Sequence, residues 1–128
     1  MYHGIIIDSA FIDTNFAETL KLFAKHNSKS TGWVLYGVEV SDNDIDKVIA
    51  KIQQMMKSDK PYYSHFYNDD EIIVVFKDKT FKVSPHQSTW IPVIEYGKQL
   101  NIPEEQLDFW PNRFQDEIHY FSKEEFVA

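Results

Sequence analysis

Between Tyr62 and Ser84 three apolar runs are separated by two short acidic links, and this pattern restricts the chain's fold more than any other. Tyr62–Tyr67, Glu71–Phe76 and Thr80–Ser84 are rich in aromatic and β-branched residues, which suit a pleated surface. The links Asn68 to Glu71 and Asp78-Lys79 have the length and residue types of hairpin turns. The segment therefore reads as an antiparallel meander. With Asp69-Asp70 and Asp78-Lys79 as turn centres, Tyr67 lies opposite Ile72, His65 opposite Val74, Tyr63 opposite Phe76, and Phe76 opposite Phe81. Side chains alternate along a strand, so one face carries Tyr63, His65, Tyr67, Ile72, Val74, Phe76, Phe81 and Val83. The other carries Tyr62, Ser64, Phe66, Ile73, Val75, Lys77, Thr80 and Lys82. It is apolar over two strands and wet over the third.

Upstream, the run around Ile5-Ile6-Ile7 reads as a strand buried on both faces, and Gly32 to Val40 reads as a second. Phe16, Leu20, Phe23 and Ala24 share a helical stripe after the cap candidates Asp13-Thr14. A stronger stripe, Ile45, Val48, Ile49, Ile52, Met55 and Met56, follows Ser41 and Asp44. Downstream, a third helix is expected from near Ser88-Thr89 to Leu100, and a short fourth opens at Pro103. The expected fold is α+β, with an α/β-type mixed sheet of about five strands in the order β-α-β-α-β-β-β-α-α. The first two helices cover one face, and the C-terminal helices or a second subunit cover the other. At 128 residues and 15.1 kDa the chain reads as one domain over 1–128, with 112–128 an extended or partly ordered tail.

Charge narrows the partners. Thirteen Lys and Arg face twenty Asp and Glu, a formal net charge of −7, and the one arginine is Arg113. Phosphate backbones and anionic membranes call for a basic face, so neither nucleic acid nor membrane is an expected partner. The absence of cysteine removes thiolate nucleophiles, disulfides and zinc–thiolate sites. It also favours a reducing, cytoplasmic setting. The isoleucine run stops at Asp8, too short for a signal peptide or a membrane span.

Several constellations invite a chemical reading. Asp42-x-Asp44-x-Asp46 begins like a calcium loop, but Lys47 and Gln53 stand where that motif needs Gly and Glu. These acids suit the first turn of a helix instead. The histidines His3, His26, His65, His86 and His119 have no zinc spacing, so no metal and no cofactor is expected. The glycines are isolated, which removes the phosphate-cradling loops. Two acid–base candidates remain. His65, between Tyr63 and Tyr67 on one strand face, is a buried imidazole beside two phenols; a core histidine satisfied by hydrogen bonds is the plainer interpretation. Asp8 and Glu39 would share the carboxyl edge of the sheet if their strands were parallel.

The expected function is a small binding or interaction module that self-associates through Tyr62, Phe66, Ile73 and Val75. One alternative is an enzyme working around His65, Tyr63 and Tyr67, or around Asp8 and Glu39. Another is a structural subunit whose aromatic tail, Phe114–Phe126, docks on a partner.

Overall fold

The meander forms as β4 (Tyr63–Tyr67), β5 (Ile72–Phe76) and β6 (Thr80–Val83) in the computed structural model, which describes residues 1–127. At its first turn Asn68 Oδ1 accepts the backbone N–H groups of Asp70 and Glu71 at 3.1 and 3.0 Å, and Asp69 adopts a positive φ of 78°. This turn sets Tyr67 opposite Ile72, His65 opposite Val74 and Tyr63 opposite Phe76. The second turn is centred one residue earlier than the sequence suggests. Phe76 N–H donates to Lys79 O at 2.8 Å, so Phe81 faces Val74, not Phe76. The slip is two residues in register, so every side chain keeps its face.

β1 (Tyr2–Ile7), β2 (Lys21–Asn27) and β3 (Val34–Val40) complete a six-stranded sheet in the order β2-β3-β1-β4-β5-β6. Every neighbouring pair is antiparallel. This corrects the mixed five-strand sheet. The expected first helix is a 3-10 turn at Phe16–Thr19 followed by β2. Its helical stripe gives way to the unpaired edge of β3, along which Lys21–Asn27 makes a ladder interrupted by a bulge between Leu22 and Ala24. The extra residue there is Phe23, whose ring lies where a Cβ on Gly37 would sit, 2.6 Å from Phe23 Cζ. Only glycine leaves room for it. With no helix between them as a crossover, β1 and β3 pair antiparallel.

The two faces are covered differently. α1 (Ile45–Met55) lays Ile45, Ile49 and Ile52 on the face that carries Phe66, Ile73 and Val75. Lys77 Nζ donates to Gln53 O at 3.0 Å and Met56 O at 2.6 Å, capping the end of this helix. Burial of each of those three sheet side chains contributes roughly 1.5–3 kcal/mol. This face was expected to meet the C-terminal helices or a second subunit. The strongest helical stripe in the chain takes it instead. Phe66, Ile73 and Val75 are buried within their own chain, with Tyr62 half-buried at the border. Within the chain, α1 covers Phe66, Ile73 and Val75.

The opposite face, with Ile5, Ile72, Val74 and Phe76, lies under the C-terminal half. That half comprises α2 (Ile91–Gln99), α3 (Glu117–Tyr120) and the irregular stretch between them. Trp90, Val93, Ile102, Leu107, Phe109 and Phe121 are its buried anchors. The 112–127 stretch packs here too: Val127 N–H donates to Phe23 O at 2.8 Å, and Phe126 bridges to Ala24.

Candidate functional site

β4 repeats aromatic-x-His-x-aromatic on its C-terminally covered face, and each of those three side chains has a polar tip. Tyr63 Oη donates to Gln106 O, His65 Nε2 to Pro111 O at 2.8 Å, and Tyr67 Oη to Glu117 Oε2 at 2.5 Å. The chain above them is irregular, and carbonyls there, such as those of Gln106 and the buried Pro111, take donors from outside it. The β4 row supplies them. A lid tied at intervals does not lie flat, and near the starts of β3 and β4 it stands off the sheet.

The result is a cleft of about 550 Å³. Ile5, Ile7, Leu35, Tyr63 and His65 come from the sheet side. Trp33, Tyr62, Trp110 and Tyr120 add aromatic walls from four separate segments. Trp110 remains 39% exposed. Tyr62 and Lys60 lie on the ridge that parts this cleft from a second depression of about 240 Å³.

His65 is 4% exposed. Burial holds its pKa down to about 4, with the Pro111 carbonyl pulling the other way. At neutral pH the ring is therefore uncharged. Because a carbonyl can only accept, Nε2 carries the proton and Nδ1 is left as the acceptor. Burial raises the Tyr63 hydroxyl far above its ordinary value, and the Asp108 charge adds to this. The same two causes, with a contribution from Glu125, push Tyr120 up to about 12. Asp108 is exposed, and among the described residues no cation pairs with it.

The far end of the same face is built from charge. His3 Nδ1 donates to Glu117 Oε2 at 2.6 Å, the oxygen that also receives Tyr67. His3 Nε2 lies 3.5 Å from Glu39 Oε1, and Lys21 Nζ reaches Glu39 Oε2 at 2.5 Å. The hydrogen bond with Lys21 holds the Glu39 carboxyl below the usual carboxylate range. Phe23 stacks on the His3 ring, with centroids 4.1 Å apart, and Phe114 meets it edge-on. Burial, reinforced by the bond to Glu117, drives the Tyr67 hydroxyl strongly upward.

Tyr63 and His65 thus share the cleft, whereas Tyr67 belongs to the charged cluster. Asp8 and Glu39 are far apart along the strands. Ile7 pairs with Leu35 while His3 pairs with Glu39, so the two acids lie toward opposite ends of an antiparallel pair. Asp8 Oδ1 accepts the N–H groups of Ser9 and Val34 at 2.7 and 3.0 Å, a structural use. Asp44 accepts the Ser41 hydroxyl at 3.0 Å at the start of α1. Among the described residues no group of three or more His, Asp or Glu is placed to hold a metal ion. No helix among them is long and apolar enough to cross a membrane.

Sequence reasoning missed Trp33, Trp110, Tyr120 and Asp108 as cleft residues, and His3 and Glu117 as a buried pair. Trp110-Pro111 was the one available signal: a large apolar side chain in a segment with no helix or strand pattern to bury it. Comparison with protein-family models, curated proteins and solved structures finds no match to this chain.

Proposed function

We propose that the chain is a small-molecule-binding module whose ligand occupies the aromatic cleft. The cleft itself carries this reading. Its volume of about 550 Å³ falls in the range of roughly 300–1,000 Å³ that ligand pockets occupy, and apolar walls with a few polar groups are their usual make-up. Five separate segments contribute to it, and the exposed Trp110 ring is an apolar surface that a ligand would cover.

Two details favour binding over proton transfer. The His65 ring is neutral and its one proton is bonded to Pro111 O, while the Tyr63 proton is bonded to Gln106 O. Both groups are held in place, and neither pKa lies near neutrality, where an acid–base catalyst works best.

Backbone amide shift mapping with indole and phenol as probes tests the proposal. Saturable shifts are expected at Trp33, Tyr63, His65 and Trp110, and Trp110→Ala should weaken them while the spectrum stays folded. Shifts that do not saturate, or that map to the α1 face, would remove the proposal.

A further inference from the structure

The geometry points to a cation as the ligand: a primary ammonium on an aromatic or aliphatic body, its charge held by Asp108 and the ring faces of the cleft. This rests on the binding reading above and adds the charge.

The walls supply the first argument. Trp33, Tyr62, Trp110 and Tyr120 bring aromatic rings to one cavity, and the faces of such rings are electron-rich and attract cations. Charge supplies the second. The cleft is edged by one carboxylate, Asp108, and one ammonium, Lys60, and neither is in an ion pair among the described residues. They are not equivalent. Lys60 sits on the ridge shared with the neighbouring depression, whereas the Asp108 charge is felt at Tyr63 and Tyr120, both cleft residues. An anion would meet the ring faces and Asp108 together.

The polar atoms supply the third. Tyr63 has its hydroxyl proton committed to Gln106 O, and His65 has its N–H committed to Pro111 O. Their remaining capacity is lone pairs, on Tyr63 Oη and His65 Nδ1. A ligand that brings donors fits such a site better than one that brings acceptors. An ammonium brings three. The whole chain, at a formal charge of −7, also draws cations toward it.

Calorimetric titration of the full chain with 2-phenylethylammonium, 2-phenylethanol and 3-phenylpropionate at neutral pH tests the inference. The cation should bind on the order of tenfold more tightly than the neutral alcohol, about what one cation–ring contact and one exposed carboxylate give together. The carboxylate should bind more weakly than either. In Asp108→Asn the ratio of cation to alcohol affinity should shrink to about threefold or less while the protein stays folded; Asp108 is exposed, and Tyr63 uses only its backbone oxygen. Equal affinities for cation and alcohol would overturn the charge assignment and leave the cleft proposal standing. Tighter binding of the carboxylate would do the same and shift attention to Lys60. An unchanged preference in Asp108→Asn would remove that residue's role. If none of the three binds at millimolar concentration, the cleft proposal fails as well.

Discussion

The two faces of the sheet are covered by different kinds of chain, and their chemistry differs accordingly. α1 satisfies its own backbone except at its C-terminal end, which Lys77 caps, and it presents a continuous apolar stripe. The centre of the face beneath it is therefore apolar, with polar groups confined to the buried Ser64, the hydroxyls of Tyr2 and Tyr36, and the rim. The C-terminal cover is largely irregular. It brings carbonyls that need donors, which Tyr63 and His65 supply, and a carboxylate, Glu117, which Tyr67 meets. A regular helix seals a face. An irregular lid has to be tied down, and between its ties it leaves the space that became the cleft.

The comparison can be broken first on the sealed face. Phe66 is fully buried, and its ring occupies the space beside Gly4, where a Cβ would lie 2.3 Å from Phe66 Cδ1. Phe66→Ala should lower unfolding free energy by about 3–5 kcal/mol through lost burial and the cavity left behind, as read by urea denaturation. A loss below about 1 kcal/mol, with the chain changing its oligomeric state, would restore this face as a surface between copies.

Acid should act on the other face. The folded pKa of His65, near 4, lies below the unfolded value of 6.5. The ring's contribution to stability is thus fully present above pH 6.5 and is lost as pH falls toward 4. At about 1.4 kcal/mol per tenfold change, roughly 3 kcal/mol should disappear across that window. His65→Gln should flatten this part of the stability–pH curve relative to the unaltered chain. Parallel curves for the two proteins would contradict it.

A smaller effect sharpens the contrast along the lid itself. Glu117→Gln removes the charge shared by His3 and Tyr67 while keeping an acceptor in place. About 1–3 kcal/mol of stability should go. Hydrogen exchange should quicken mainly in 112–127, with α1 unaffected. Uniform acceleration across both faces would show that the lid and α1 open as one unit.

How far the sequence reveals this arrangement depends on how local each determinant is. The meander is legible because its turn residues and alternation lie within one short stretch. Even its one error, at the turn after Phe76, kept every side chain on its proper face. α1 is legible from its own periodicity. β2 is not, because Phe16, Leu20, Phe23 and Ala24 fit a helix equally well. What decides for a strand is the edge of β3 and the bare Gly37 beneath Phe23, neither visible from the segment. That single misreading turned the sheet from antiparallel to mixed and brought Asp8 and Glu39 together on paper. The site divides in the same way. His65 and Tyr63 stood out by spacing on one strand, but Trp33, Trp110, Tyr120 and Asp108 come from distant segments that only the tertiary fold gathers. Glu117 looked like one acid among many in an acidic tail, and nothing in its neighbours announces its burial against His3.

The claim that joins these points is that His65 is a neutral tie to the lid with an acceptor left at the cleft. Long-range nitrogen–proton NMR of its imidazole, recorded from pH 8 to pH 5 and again with 2-phenylethylammonium, tests it directly. The account expects one neutral tautomer protonated at Nε2 throughout, with the Nδ1 resonance moving as the amine saturates. A ring that titrates near 6.5, or one protonated at Nδ1 and indifferent to the amine, would contradict it.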